Sequence, residues 1–269
     1  MQPDDPEHYE YWSELAVDAE GVLYATKVVY FVDTELVDYE EIDRYPPGGG
    51  EEVLYTLDHQ EDEYAYDTRL LTLQVHDGYL YFDVRLEQAV ELWRIRIGGD
   101  TPRHVLDIDA PSADIYNLAG YDERSLYVAS YSGDRVLRPG PGGALVDSGL
   151  HPARPGVPAY VLADKLFLDR NDRVLMNDLF NQCIYRAGRD GALEVLLSKD
   201  DLPGKPDRAL YKDFWVADDG RIAVVESIGG EAGRLVVFGP DGAAEREITA
   251  IIVRYASPMA AASATTSSS

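Results

Sequence analysis

Asn171-Asp172-Arg173-Val174-Leu175-Met176-Asn177-Asp178 opens a stretch that continues as Leu179-Phe180-Asn181-Gln182-Cys183-Ile184-Tyr185-Arg186-Ala187-Gly188-Arg189-Asp190-Gly191. In order it holds a polar turn, an apolar run, a variable loop, a second apolar run and an Asp-Gly turn. Short apolar and aromatic runs bounded by Asn, Asp and Gly read as strands joined by tight turns. Leu193-Glu194-Val195-Leu196 follows as the next run.

The same pattern occurs five times. The turn and second run recur as Asp18-Ala19-Glu20-Gly21-Val22-Leu23-Tyr24, His76-Asp77-Gly78-Tyr79-Leu80-Tyr81, Asp122-Glu123-Arg124-Ser125-Leu126-Tyr127 and Asp218-Asp219-Gly220-Arg221-Ile222-Ala223. With Leu23, Leu80, Leu126, Val174 and Ile222 taken as equivalent, the spacings are 57, 46, 48 and 48 residues. The third run repeats as Ile42-Asp43-Arg44, Leu92-Trp93-Arg94, Val136-Leu137-Arg138, Ile184-Tyr185-Arg186 and Leu235-Val236-Val237, each followed by a glycine turn. Four short strands per repeat at this period predict an all-β fold, a β-propeller of four-stranded blades with five repeats recognisable, closing as a ring of five or six. A blade cannot bury both faces alone, so Tyr24, Tyr81, Trp93, Tyr127, Tyr185 and Trp215 are expected in blade-to-blade packing.

The repeats fill residues 13–250. That leaves 1–12 as an N-terminal segment and 251–269 as a C-terminal strand followed by an Ala/Ser/Thr tail expected to be disordered. His8-Tyr9-Glu10-Tyr11-Trp12 or Ile251-Ile252-Val253-Arg254-Tyr255 is expected to supply a strand that completes the blade at the other end. The first repeat's extra length, Val28 to Glu41, reads as a long acidic loop. No segment sustains helical periodicity, so helices should be few and short.

A net charge of -25, from 24 basic against 49 acidic side chains, repels nucleic acid and anionic lipid, and no basic patch breaks it. Only five basic residues are lysines, which suits salty cytoplasm or a biased genome composition equally. Cys183 is the one cysteine, so neither a disulfide nor a CxxC site can form, and a buried inert thiol is expected. No signal-peptide pattern and no membrane-length apolar stretch is visible; a soluble chain is expected, in a compartment the sequence does not name. The five histidines lack HxH or HExxH spacing, and neither a GxSxG elbow nor a P-loop occurs. Gly229-Gly230-Glu231-Ala232-Gly233 reads as a hairpin loop.

The fourth repeat resembles the blade signature of NHL-repeat, YWTD and regucalcin/gluconolactonase-type propellers: an Asp ending strand two (Asp178), then Ile-x-Arg (Ile184-Tyr185-Arg186), then an Asp-Gly turn (Asp190-Gly191). The third and fifth repeats match partially and the first two weakly. These families are usually six-bladed and include lactonases, lyases and pure binding modules, so the resemblance carries fold further than function.

In such a ring the innermost strand points side chains into the central channel. Nine residues before the reference position stand Glu14, Leu71, Asn117, Lys165 and Asp213. Glu14, Asn117 and Asp213 are hard oxygen donors suited to Ca²⁺ or another divalent cation, and the regucalcin/gluconolactonase resemblance implies a cation on these three. Lys165 beside them suits an anionic ligand or a salt bridge.

Four residues after the reference position stand Lys27, Val84, Ser130, Asp178 and Glu226, read as partners of the first layer in the same order, opposite or diagonal across the hairpin. Lys165, Lys27, Asp178 and Ser130 are therefore the candidate ligand-binding residues. Asp213 with Glu226 is the pair of like charges, a candidate acid/base or ligand set. In the resembling families the aspartate at Asp178 ties neighbouring blades together; Asn177 and Asn181 read as turn formers. Five-bladed glycosidases use three inner-strand carboxylates, against Glu14 and Asp213 here.

Two function classes remain. One is a noncatalytic propeller that binds a small molecule or a protein at an acidic central face. The other is a metal-dependent hydrolase or lactonase centred on Glu14, Asn117 and Asp213, with Asp213 and Glu226 as the catalytic candidates. Nucleic acid and membrane are not expected partners.

Overall fold

The structure, a computed structural model, describes residues 8–31, 37–59, 69–70, 72–86, 89–110, 115–130, 135–141, 144–152, 163–169, 171–178, 182–188, 192–201, 210–217, 220–228 and 232–251. Each repeat forms one sheet whose strands pair in chain order. Blade 1 holds β1 (His8–Val17), β2 (Leu23–Phe31), β3 (Val37–Tyr45) and β4 (Glu52–Asp58). Blade 2 holds β5 (Leu73–His76), β6 (Tyr79–Arg85), β7 (Val90–Arg96) and β8 (Arg103–Ile108). Blade 3 holds β9 (Ile115–Ala119), β10 (Tyr127–Ser130), β11 (Val136–Pro139) and β12 (Leu145–Asp147). After β13 (His151–Pro152), blade 4 holds β14 (Ala163–Leu168), β15 (Val174–Asp178), β16 (Cys183–Ala187) and β17 (Ala192–Ser198). Blade 5 holds β18 (Leu210–Val216), β19 (Ile222–Ile228), β20 (Ala232–Phe238) and β21 (Ala244–Ile251).

The turns between first and second strands are folded by their own aspartates. Asp18 Oδ1 accepts the N–H groups of Glu20 and Val22 at 3.0 and 2.9 Å, and Asp169 Oδ1 those of Asn171 and Arg173 at 2.8 and 3.0 Å. Asp122 Oδ1 does the same for Arg124 and Ser125. A side chain that caps its own turn supplies the hydrogen bonds a tight reversal leaves open. In blade 2 the turn is instead Asp77-Gly78, both at positive φ (46° and 77°), the left-handed pair that suits a two-residue hairpin.

Four apolar interfaces join consecutive blades. Tyr24, Ile42 and Leu54 of blade 1 meet Leu73, Leu80 and Phe82 of blade 2; Tyr81, Leu92 and Ile108 meet Ile115, Leu118 and Val128 of blade 3. Ala119, Ala129 and Val136 pack on Leu166, Met176 and Tyr185 of blade 4, and Phe167, Leu175 and Ile184 on Phe214, Val224 and Phe238 of blade 5. The six aromatics follow expectation: Tyr24, Tyr81 and Tyr185 are buried, while Trp93, Tyr127 and Trp215 pack against the clusters partly buried. Cys183 is buried and in no disulfide. Among the described residues no apolar cluster joins blade 5 to blade 1.

Three expectations change. Val28 to Glu41 is not mainly a loop: β2 runs on through Phe31 and β3 starts at Val37, so blade 1 has longer strands than the other blades. The apolar run Val28-Val29-Tyr30-Phe31 and the alternation of Val37 and Tyr39 carried that signal beneath the acids. Among the described residues neither end adds a strand to the other's blade, and 252–255 of the expected C-terminal strand lie outside them. His8 to Trp12 lengthens blade 1's own inner strand, and blade 5 takes its fourth strand from Ala244–Ile251. Ala232 and Gly233 belong to β20, while 229–231 and the tail after 251 lie outside the described residues. Among the described residues the helix content is one turn at Lys199–Asp201. An addition is β13, which pairs parallel to β17 at blade 4's outer edge, a position where Pro152 withholds no needed donor.

Candidate functional site

First strands pack on first strands, β1 with β5, β9 with β14 and β14 with β18, so they line the centre. Each carries one extra residue against its second strand. In blade 1 the pairs step from Trp12↔Lys27 to Leu15↔Ala25, and in blade 4 from Ala163↔Asp178 to Leu166↔Met176. Blade 3 steps from Ile115↔Ser130 to Asn117↔Ala129, and blade 5 from Tyr211↔Glu226 to Asp213↔Val225. In blade 2, Arg69 faces Arg85 through a backbone hydrogen bond while Leu73 pairs Phe82, which again leaves one residue over.

This bulge slips the register by one, and a one-residue slip exchanges faces. The cross-strand pairs expected from sequence therefore do not form by register. Glu14 lies opposite Thr26 rather than Lys27, Lys165 opposite Asn177 rather than Asp178, Asn117 opposite Ala129 rather than Ser130, and Asp213 opposite Val225 rather than Glu226. The side chains of Asp213 and Glu226, and all of Leu71, lie outside the described residues.

Lys165 reaches from blade 4 to blade 1, where its Nζ lies 2.9 Å from Glu14 Oε2. Both side chains are largely buried. The ammonium also sits 5.3 Å from the ring centroids of Phe167 and of Trp215, so it is bordered by blades 1, 4 and 5. Asn117 is buried too, and its Oδ1 accepts the N–H of Leu166 at 2.9 Å, tying blade 3 to blade 4. Two of the three expected cation ligands thus already have partners, an ammonium for one and a backbone donor for the other. Among the described residues no group of three His, Cys, Asp or Glu side chains is arranged to hold a metal ion.

Lys27 serves blade 1 alone. Its ammonium lies 2.7 Å from Glu41, 3.5 Å from Asp43 and 3.4 Å from Glu51. Burial works against that charge, but the hydrogen bond to Glu41 and the fields of Asp43 and Glu51 outweigh it and hold the ammonium above the usual lysine range. Asp43 is fully buried, and burial, only partly offset by Lys27, pushes its carboxyl up to about 6. A carboxyl raised in the folded state binds its proton more tightly there than when unfolded. Its contribution to stability is therefore greatest at low pH and falls as pH rises from about 4 to about 6. Asp43→Asn removes that component: thermal melts should show the variant gaining on wild type across this window and holding a constant difference above it.

Sequence reading missed the groups that brace the centre. Asn177 is no turn former; it sits inside β15 and its Oδ1 accepts the Lys165 N–H at 2.6 Å, a donor released by the bulge. Asp83, its counterpart in blade 2, accepts the Thr72 N–H at 2.7 Å and holds Arg85, which donates to the Ile115 carbonyl of blade 3 at 2.6 Å. Glu40 accepts the N–H groups of Arg69 and Leu70 and pairs with buried His59 at 2.9 Å, bracing blade 1 on blade 2. A polar residue three after the reference position (Thr26, Asp83, Asn177) is the one visible signal. Asp178 and Ser130 are buried at the ends of their strands, Asp178 between Ala163 and Cys183 and Ser130 facing Ile115.

Five sheets, each with four antiparallel strands in chain order and one with β13 added at its edge, with first strands at the centre and a lysine spanning it, decide the architecture. The chain is a β-propeller. No protein-family model and no curated protein matches its sequence. Among solved structures the propeller is similar to a protein of unknown function from Bacteroides caccae at 11% identity, covering 90% of this chain and 82% of that one with a TM-score of 0.56. It is also similar to a protein of unknown function from Bacteroides thetaiotaomicron at 12% identity, over 88% of this chain and 60% of that one, TM-score 0.52. A gluconolactonase from Xanthomonas campestris matches at 13% identity over 82% and 84% of the chains with a TM-score of 0.43, too low to carry a functional argument. No helix among the described residues is long and apolar enough to cross a membrane.

Proposed function

We propose that this propeller is a noncatalytic binding scaffold that presents an acidic central face to a small molecule or a protein. The observation that carries the reading is the 2.9 Å pair between Lys165 and Glu14. A catalytic centre needs a group poised to gain or lose a proton, or a cation held on free oxygens. Here an ammonium stands against the carboxylate that would have led either arrangement. A lactonase with its cation on Glu14, Asn117 and Asp213, and Asp213 with Glu226 as acid and base, would have to share Glu14 with the Lys165 ammonium and Asn117 Oδ1 with the Leu166 N–H. Lys165 is the candidate ligand-binding residue nearest the centre; Lys27 is committed to three carboxylates, and Asp178 and Ser130 are buried in their strands.

Thermal unfolding of metal-stripped protein with millimolar Ca²⁺, Mg²⁺ or Mn²⁺ tests the reading. Any ion bound by the folded state alone raises stability, by about 2.7 kcal/mol at a hundredfold excess over Kd. The scaffold reading predicts no shift with added ion, or an equal shift in wild type and in Asp213→Asn, as general screening of an acidic surface gives. An ion-dependent rise of several degrees that Asp213→Asn abolishes would overturn it in favour of the metal enzyme.

A further inference from the structure

Blade 1 turns one face, with Ala16, Tyr24 and Ile42, onto blade 2, where it is sealed by Leu73, Leu80 and Phe82. By register the opposite face carries Trp12, Lys27 and Glu41 in one row, Leu15, Ala25 and Asp43 in the next, and Leu23 and Tyr45 below. Ala25 and Val29 are buried on this face, while Trp12 on its edge strand stays 53% exposed. The indole lies across its own blade, its Nε1 donating to Tyr45 Oη at 3.2 Å, and that hydroxyl is in turn 3.2 Å from both Asp43 and Glu51. Three carboxylates, Glu41, Asp43 and Glu51, share the single Lys27 ammonium. Asp43 Oδ1 is fully buried with no hydrogen-bond partner. Glu10, exposed and in register on the same face, adds a further negative charge.

An exposed indole beside under-compensated carboxylates asks for one kind of group. Guanidinium pairs with carboxylates through a planar fork and stacks on indole, whereas an ammonium does the first only as a point charge. We propose that this face of blade 1 docks an arginine-bearing extended segment of a partner protein, with guanidinium on Glu41 and Glu51 and stacked on Trp12. A second copy of the chain would bring the same net charge of -25 and the same acidic face. Residues 252–269, which follow blade 5's last strand, carry one arginine, Arg254, and no lysine. The proposal rests on the binding-scaffold reading but uses a surface apart from Lys165 and Glu14, so its test is blind to ions in the channel.

The probe is a short capped peptide of alternating Arg and Val, titrated into the full chain at physiological salt and followed by tryptophan fluorescence and calorimetry. Trp12→Ala and Glu41→Gln should each weaken binding about tenfold. Glu194→Gln, at an exposed site on blade 4, should change it less than twofold, and a Lys-for-Arg peptide should bind more weakly. Circular dichroism checks that the variants fold, and Trp12, being exposed, serves where Glu41 does not. Equal loss at Glu194, or none at Trp12, would reduce the interaction to the general field and overturn the proposal. So would a chain ending at Ile251 that binds much more tightly than the full chain, which would make residues 252–269 the occupant, or a concentration-dependent dimer that buries Trp12.

Discussion

Lys165→Met should lower unfolding stability by about 3 kcal/mol, because it removes the ammonium that stands 2.9 Å from the largely buried Glu14 carboxylate. Glu14→Gln should cost less, since an amide needs no counter-charge and Lys165 keeps the Phe167 and Trp215 rings beside it. The double variant Glu14→Gln/Lys165→Met should recover part of the loss. The cycle is read from urea unfolding, and a favourable coupling of about 1 kcal/mol or more marks a direct pair. Additive single effects would show that Lys165 acts through its aromatic neighbours instead.

A comparable loss is expected far from the channel. Gly120 directly follows β9 at φ +149°, and a Cβ built there would stand 2.5 Å from Leu126 Cα, 2.9 Å from Leu126 N and 3.0 Å from the Ser125 carbonyl. All three are backbone atoms of the turn into β10, so no side chain can swing aside. The Gly120 carbonyl also accepts from Gln74 of blade 2, so a shifted backbone would disturb the junction between blades. Gly120→Ala should therefore cost about 3 kcal/mol. Gly49→Ala separates the two causes: φ is +85° but nothing lies within 4 Å, so only the conformational cost of about 1 kcal/mol should appear. Equal losses in the two variants would remove steric approach as the reason for glycine at 120.

The repeat, the strand order and the identity of the buried aromatics were legible because each rests on local pattern: alternation, turn aspartates and a near-constant period. The site layer was legible as a set of positions and not as a set of partners. Glu14, Asn117 and Lys165 do stand at equivalent places on the inner strands, but pairing them four residues past the reference assumed an unbroken ladder. One extra residue per inner strand turned Lys27, Asp178 and Ser130 out of that layer, and no residue type announces such a bulge. The Lys165 to Glu14 pair joins residues 151 positions apart in the chain, a proximity set by how the inner strands gather at the centre and not by any local pattern. Asp83 and Asn177 were read past because a polar residue inside a strand looks like interruption until the freed N–H it caps is known. The acids between Val28 and Glu41 hid a strand for a related reason: blade 1 buries Glu40 and Asp43 by supplying backbone donors, His59 and Lys27, none of which is a sequence neighbour.

The proposed scaffold reading turns on the Lys165 ammonium, 2.9 Å from Glu14, being that carboxylate's partner in place of a metal ion. Calorimetric titration of Ca²⁺ into metal-stripped wild-type protein, with Glu14→Gln as the paired sample, addresses it most directly. The account predicts the same weak, unsaturable heats from both, as an acidic surface gives with any divalent cation. A saturable one-to-one isotherm in wild type that Glu14→Gln removes would contradict it and place a cation where Lys165 now stands.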